Sequence, residues 1–289
     1  MVEQASTKII KHENYVLEVC FDLFNKRIRV DDLSGDVSGA IKMAEKIAVE
    51  EKAEKLIIKA RKENYSHLVE KGFLCEAIIE RYFLGSDLYF FCKYYTVERK
   101  TSNHWMNEDE IVKNVQILNQ NVQLIHPPKE YTLKKLTKED TESLACLYGK
   151  VFQIYPTPLN KSEYIIETMN DGTIYYGFLY KNEIVSAASA EVNSFYKNAE
   201  LTDCATLQEH RKHGLMKILL EALEKELKSD GVFCTYSIAR ALSFGMNAAL
   251  HQLNYQYRGR LMNNCYIFNK LEDMNVWVKD LSVNHHLNK

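Results

Sequence analysis

The chain lacks the features that mark several large classes of protein. Its seven cysteines are scattered without a close pair, which argues against zinc ribbons, thioredoxin-type motifs and a disulfide framework. No apolar run approaches the roughly 20 residues needed to cross a bilayer. The first six residues also lack the apolar core of a signal peptide. We therefore expect a reduced, cytoplasmic protein with no membrane partner.

The chain also has no large excess of positive or negative charge. Its formal net charge of -2 gives no general attraction to nucleic acid. The sequence has no Gly-x-Gly-x-x-Gly fingerprint, no phosphate loop ending in Gly-Lys-Ser/Thr, no Gly-x-Ser-x-Gly elbow and no His-Glu-x-x-His helix. These absences argue against dinucleotide-binding domains, common hydrolases and zinc proteases. We predict no metal site.

What is present is an alternation of helices and strands in two stretches, divided by a break at His126-Pro127-Pro128. The order strand, helix, strand, strand recurs in both stretches, so the first is either a shortened copy of the second or an unrelated unit. The last two strands are predicted at 255–262 and 265–270. The predicted division is a first unit at 1–97, a linker with a helix at 98–128, a second unit at 129–279 and a tail at 280–289.

A basic loop interrupts the second unit between a predicted strand and a helix at 215–228. Arg211, Lys212 and His213 precede Gly214 at the start of this helix. Cations are unfavourable there, because a helix N-terminus carries partial positive charge and unpaired N–H groups. They become favourable if an anion binds at this position, and a glycine lets the backbone approach that anion closely. The alternative is a solvated basic turn.

The stretch Arg211-Lys212-His213-Gly214-Leu215-Met216 resembles the Gln/Arg-x-x-Gly-x-Gly/Ala pyrophosphate loop of the GNAT superfamily of N-acetyltransferases. Met216 departs from the family preference for glycine or alanine. The order of elements over 131–270 also fits that family. The resemblance implies an α/β (α+β) GNAT fold, with a mixed, mostly antiparallel central sheet flanked by helices, preceded by a partial GNAT-like unit.

The same resemblance implies acetyl-CoA as co-substrate. Its pyrophosphate would bind at the helix N-terminus, and its pantetheine arm would pair with the backbone of the preceding strand. The residues implied for the pyrophosphate are Arg211, Lys212, His213, Gly214, Leu215 and Met216, and those for the pantetheine are Cys204, Ala205 and Thr206.

Nearly the whole chain is similar to the beta-lysine N-acetyltransferases, in stretches such as Tyr155-Pro156, Thr202-Asp203-Cys204-Ala205-Thr206 and Met274-Asn275-Val276-Trp277. This similarity implies acetylation of the terminal amine of beta-lysine or a similar small diamino acid. The alternatives are acetylation of a polyamine or a protein lysine, or a non-catalytic acyl-CoA-binding sensor. A polyamine site should be acidic and free of arginine, whereas beta-lysine needs a cation for its carboxylate. A homodimer is compatible with the sequence.

An amine with a pKa near 10.4 must lose a proton before it attacks a thioester, so a base is expected. Glu200 is the first candidate, because its strand resembles the fourth strand of the histone-acetylating branch, whose base is the glutamate at this position. The alternative is a solvated glutamate at a strand edge. Asp203 is the rival base and lies on the opposite face of a regular strand; a bulge would reverse that facing. It either binds the substrate ammonium or accepts a local hydrogen bond.

Two further residues are candidates for substrate binding. Arg240, just past the end of the fifth strand, could bind the carboxylate of the substrate. Tyr155 could pack against the aliphatic chain of the substrate. An ordinary structural role stays open for both. Many family members protonate the leaving thiolate with a tyrosine, which is replaced here by Leu250. The adjacent His251 is expected at the surface.

Overall fold

The computed structural model describes residues 5–120, 126–152, 155, 157–267 and 270–283. Within these ranges the strands are β1 Ser6–Lys11, β2 Tyr15–Asp22, β3 Arg27–Gly35, β4 Lys55–Ala60, β5 Leu74–Phe83, β6 Ser86–Tyr94, β7 Tyr131–Lys135, β8 Ile174–Tyr180, β9 Glu183–Asn193, β10 Asn198–Thr206, β11 Cys234–Arg240, β12 Gln256–Ile267 and β13 Lys270–Asp280. The α-helices are α1 Val37–Glu50, α2 Tyr65–Glu70, α3 Val97–Lys100, α4 Trp105–Gln116, α5 Thr141–Val151, α6 Ser162–Asn170, α7 Leu215–Ser229 and α8 Phe244–Gln252.

All the described strands form one mixed, mostly antiparallel sheet in the order β1-β2-β3-β4-β6-β5-β12-β13-β11-β10-β9-β8-β7. The first unit joins the second where β5 lies beside β12, with Ala77 opposite Gly259. A Cβ on Gly259 would lie 2.2 Å from the carbonyl oxygen of Glu76. Because no side chain fits there, glycine is needed for the two units to share a sheet.

The two units repeat one topology. The strand order β2-β3-β4-β6-β5 in the first corresponds to β9-β10-β11-β13-β12 in the second, and β3–β4 and β10–β11 are the parallel pairs. In both units a long helix, α1 or α7, connects the two parallel strands. The first unit has no counterpart of β7, α5 and α6 among the described residues. This topology supports the interpretation of the first unit as a shortened copy.

The prediction of separate strands at 255–262 and 265–270 is wrong. Residues 256–267 form one strand, β12, which bulges at residues 262–264, and a further strand, β13, begins at Lys270. The bulge directs backbone carbonyls into the first unit. Lys55 Nζ donates to the Met262 carbonyl at 2.7 Å, and Arg27 and Arg99 donate to that of Asn264 at 2.9 and 3.2 Å. Asn264, whose carbonyl accepts these two bonds, thus forms part of the joint between the units.

Helix α7 packs against the sheet of the second unit as its sequence predicted. Its apolar stripe is buried. The helix ends at Ser229 and is followed by Gly231, whose φ of +75° suits glycine. The stripe contains Leu215, Leu219, Leu220, Leu223 and Leu227. Among the described helices, none is long and apolar enough to cross a membrane.

Candidate active site

Strands β10 and β11 separate along their length. In the described residues they pair only from Asn198–Cys234 to Glu200–Tyr236. Beyond Glu200, β10 continues to Thr206 paired with β9 alone. The edge of β10 that faces β11 therefore has no strand partner at Cys204, Ala205 and Thr206 among the described residues, although Arg211 Nε donates to the Thr206 carbonyl at 3.2 Å. Such an edge can bind an extended ligand through its backbone, as an added strand would.

The gap between the two strands leads to the N-terminus of α7. Gly214 is the N-cap residue, with a φ of +70°, and no capping side-chain hydrogen bond to the helix start is present among the described residues. Arg211, Lys212 and His213 are exposed beside it. Unpaired N–H groups and three basic side chains make this helix start suitable for a pyrophosphate. Met216 packs against the core and so leaves the N–H groups accessible.

The corresponding helix of the first unit, α1, begins differently. Asp36 is its N-cap, and the Asp36 carboxylate accepts a hydrogen bond from the Ser38 N–H at 3.1 Å. A negative side chain thus occupies the position that an anion would take. The two helix starts differ in charge and in capping, and only the start of α7 combines basic side chains with an uncapped N-terminus.

A bulge in β10 brings two predicted catalytic residues together. The register with β9 shifts between Thr202 and Ala205, and Asp203 adopts a φ of +50°. Because of this extra residue, Asp203 and Glu200 line the same cavity. The expectation that Asp203 faces away from Glu200, which assumed a regular strand, is wrong.

This cavity, which we call the cleft, has a volume of about 600 Å³ and lies between the two units. The second unit contributes Tyr155 and side chains from β9 and β10. The first unit contributes side chains from β3 and β4. The charged residues that line the cleft are Glu18, Arg27, Arg29, Asp31, Asp32, Lys59, Glu191, Glu200 and Asp203.

Burial raises the pKa of the carboxyl groups that the second unit contributes to the cleft. Burial, together with Glu191 directly opposite on β9, raises the pKa of Glu200 to about 8. The same two causes raise the pKa of Asp203 to about 7. The Asp203 carboxylate accepts hydrogen bonds from Ser189 Oγ at 2.8 Å and from Tyr155 Oη at 3.2 Å. Both bonds favour the ionised form of Asp203 and so limit the rise in its pKa. A carboxyl group in this range can exchange protons at physiological pH.

The wall from the first unit carries cations. Arg29 forms two hydrogen bonds to Asp31, at 2.6 and 3.0 Å, and Lys59 Nζ lies 2.8 Å from the same carboxylate. Burial opposes ionisation of Asp31, but the two cations hold its pKa well below the usual range. Burial likewise opposes the charge on Lys59, while Asp31 raises its pKa to about 12. All three groups are therefore ionised at neutral pH.

The predicted substrate-binding residues have different positions. Tyr155 lines the cleft, as predicted, and its ring stacks on that of Phe152. Arg240 does not line the cleft. It forms two hydrogen bonds to Glu272, at 2.9 and 2.7 Å. The expectation that Arg240 meets a substrate carboxylate is wrong, because the buried Glu272 on β13 already pairs with it.

His251 is buried and not at the surface as expected. Its Nε2 lies 3.1 Å from the carbonyl oxygen of Leu118, just after α4, and its ring packs edge-on against Trp277. The linker helix covers this side of α8, which the local pattern around His251 did not reveal.

The predicted site residues did not include Glu191, Arg29 and Lys59, which line the cleft, or Ser189, which donates a hydrogen bond to Asp203. Glu191 and Ser189 could have been found from the β9–β10 hairpin, since Glu191 pairs with Glu200 and Ser189 with Thr202. Arg29 and Lys59 carry no such signal. Arg29 on β3 and Lys59 on β4 reach the cleft although six and five strands, respectively, separate them from β10 in the sheet order, because the sheet is curved.

Replacing Tyr155 with phenylalanine should move the acid limb of the pH–rate profile to higher pH. The Tyr155 hydroxyl favours the ionised form of Asp203, so its loss raises the pKa of Asp203 and a smaller fraction is ionised at pH 7. We expect the rate at that pH to fall about 3- to 10-fold. Tyr176→Phe, which removes a hydroxyl bonded to Glu226 outside the cleft, is the control. Superimposable profiles for wild type and Tyr155→Phe would contradict the role of this hydrogen bond.

Within the described ranges, no group of three or more His, Cys, Asp or Glu side chains is arranged to hold a metal ion.

Comparisons with known proteins agree on one family. The model of the Acetyltransferase (GNAT) family matches residues 138–247, which include β10, the basic loop and α7. The chain is 39% identical to the N-acetyltransferase YodP of Bacillus subtilis, over 95% of this chain and 99% of that protein. It is 36% identical to the Beta-lysine N(6)-acetyltransferase of Methanosarcina mazei, over 85% of this chain and 97% of the relative. It is 35% identical to the Beta-lysine N(6)-acetyltransferase of Methanococcus maripaludis, over 94% of this chain and 98% of that protein.

Proposed function

The chain belongs to the GNAT family of acetyltransferases, and from that premise we propose that it acetylates the terminal amine of beta-lysine or a closely similar diamino acid. As a family member the protein is an N-acetyltransferase that uses acetyl-CoA. Two of its relatives are named for beta-lysine. The substrate and the roles of individual residues are our proposal.

The observation that carries the proposal is the presence of both charges in one cleft. Arg27, Arg29 and Lys59 lie on the side of the first unit, and Glu191, Glu200 and Asp203 on the side of the second. At neutral pH a diamino acid carries two ammonium groups and one carboxylate, so it can use both sides. A polyamine has no carboxylate and gains nothing from the arginines. The lining of the cleft thus supports a diamino acid over a polyamine.

Acetyl-CoA supplies the acetyl group as an activated thioester. Arg211 and Lys212, with the N–H groups at the start of α7, would hold its pyrophosphate. The backbone of β10 at residues 204–206 would hold its pantetheine arm. These residues bind and orient the co-substrate so that the thioester lies near the bulge at Asp203.

We assign the base to Glu200. With a pKa of about 8 it accepts a proton more readily than an ordinary carboxylate, because the gap to an alkylamine of pKa near 10.4 is narrower. Asp203, held by Ser189 and Tyr155, would anchor the arriving ammonium group. Desolvation of the cleft strengthens both interactions.

The test is release of coenzyme A, measured with a thiol reagent, from purified protein and acetyl-CoA. Beta-lysine, lysine and ornithine are supplied one at a time. We expect release with beta-lysine at a higher kcat/KM than with the other two, which carry the same charged groups at different positions or on a shorter chain. No release with any of the three would overturn the proposed substrate class.

A further inference from the structure

The first unit contributes charge to the cleft and no described element of it resembles a second acetyl-CoA site. Its helix α1 is closed by Asp36, as described above. Its strands β3 and β4 present Arg29 and Lys59 to the cleft, opposite Glu191 and Glu200. The two cations are close enough to these carboxyl groups to counteract the rise in their pKa that burial causes. The shortened copy therefore faces the catalytic strand directly.

The position of these cations is fixed by hydrogen bonds. Asp31 lies at a bulge in β3, where the register with β2 shifts between Glu18 and Val19. This carboxylate accepts hydrogen bonds from Nε and one terminal nitrogen of Arg29, while Lys59 Nζ lies beside it. The other terminal nitrogen of Arg29 makes no hydrogen bond in the part of the chain described, and the side chain is 29% exposed. Arg29 and Lys59 thus retain donors for a further anion.

The wall of the first unit is also held against the second. Tyr196, in the β9–β10 turn, donates to Asp32, and Arg61 donates to Asp32 and to the Tyr196 hydroxyl, each at 2.8 Å. The Arg61 guanidinium also lies 4.0 Å from the centre of the Phe83 ring. Because these contacts fix the distance between the walls, a ligand that spans the cleft is selected by its length and by the charge at each end.

We propose that Arg29 and Lys59 form the subsite for the substrate carboxylate, so that the first unit determines specificity for amino acids over simple amines. This assignment rests on the proposed function. The carboxylate binds between the guanidinium and the ammonium group, while the amine at the far end of the same molecule reaches Glu200 and Asp203. A diamine fills the amine end alone and leaves the donors of Arg29 and Lys59 without an anion.

The experiment compares two substrates that differ in the carboxylate: beta-lysine and the diamine cadaverine. Arg29→Gln and Lys59→Gln should each raise the KM for beta-lysine about 10- to 50-fold, the worth of one charge-assisted hydrogen bond. Arg29 and Lys59 also lower the pKa of Glu200, so the rates are compared at about pH 9.5, where Glu200 is ionised with or without them. At this pH we expect kcat for beta-lysine and kcat/KM for cadaverine to change less than about threefold. Arg29→Lys should recover part of the loss, because it keeps the charge. Lys46→Gln, on the exposed face of α1, is the matched control and should leave KM and kcat unchanged for both substrates.

The outcomes separate the two levels of the proposal. A wild-type protein that acetylates no diamino acid refutes the proposed function. A wild-type protein that prefers beta-lysine, with Arg29→Gln and Lys59→Gln variants that keep that preference, refutes the subsite alone. Equal losses with both substrates would also refute it, since they would indicate a structural role for the two cations. The thermal unfolding midpoint of each variant is measured to check that the variants are folded when their rates are compared.

Discussion

Replacing Glu200 with glutamine should lower kcat about 100- to 1000-fold at pH 7, the usual contribution of a general base. Glutamine keeps the shape of the side chain but cannot take a proton from the substrate ammonium. The Kd for acetyl-CoA should stay unchanged, because the groups that we propose to bind it lie beyond the bulge, at residues 204–216. The rise of the wild-type rate with pH, through the pKa of about 8, should also disappear in the variant.

The direction of this pH dependence follows from which form is active. A base works when ionised, and burial together with Glu191 raises the pKa of Glu200, so the wild-type rate increases as pH rises through that value. Glu183→Gln, at the exposed start of β9, is the control and should leave the profile unchanged. Nearly wild-type kcat in Glu200→Gln would move the base to Asp203 or to a water chain.

Reversing the charges of the basic loop should weaken acetyl-CoA binding about 100-fold. The double variant Arg211→Glu, Lys212→Glu removes two cations and adds two anions beside the start of α7, where the pyrophosphate is expected. We expect a higher Kd for acetyl-CoA by calorimetry, and a kcat at saturating acetyl-CoA within about fivefold of wild type, because the cleft is untouched.

A matched control separates local from overall charge. Lys42→Glu with Lys46→Glu makes the same change in net charge on the exposed face of α1. This variant should bind acetyl-CoA as wild type does. Equal weakening in both double variants would mean that net charge, and not the helix start, attracts the co-substrate. Unchanged binding in the loop variant would leave the solvated basic turn as the correct interpretation.

The local pattern of the sequence predicted the elements around the basic loop well. The stripe on α7 lies at helical spacing, and a glycine beside cations indicated the helix start, so these features needed no knowledge of the rest of the chain. Met216, which departs from the family motif, is accommodated because its side chain packs against the core. The assignment to the GNAT fold and family, with acetyl-CoA as co-substrate, is confirmed.

What could not be predicted depends on contacts distant in sequence. The facing of Asp203 depends on a bulge, and a bulge adds one residue without a distinctive sequence. Arg240 was predicted to bind the substrate carboxylate, but β13 places Glu272 beside it, and the two side chains form hydrogen bonds. Arg29 and Lys59 reach the cleft only because the sheet curls and the β9–β10 turn meets the first unit at Asp32. Each of these cases is a property of the pairing of strands, which local patterns do not encode.

The central claim is that one cleft between the two units selects a diamino acid and acetylates its terminal amine. The most direct measurement is a competition in which equal concentrations of beta-lysine, spermidine and a lysine-containing peptide share limiting acetyl-CoA, with the products identified by mass spectrometry and NMR. We expect acetylated beta-lysine to form first and to carry the acetyl group on its terminal amine. Acetylation of spermidine or of the peptide ahead of beta-lysine, or of the beta-amine in place of the terminal one, would contradict it.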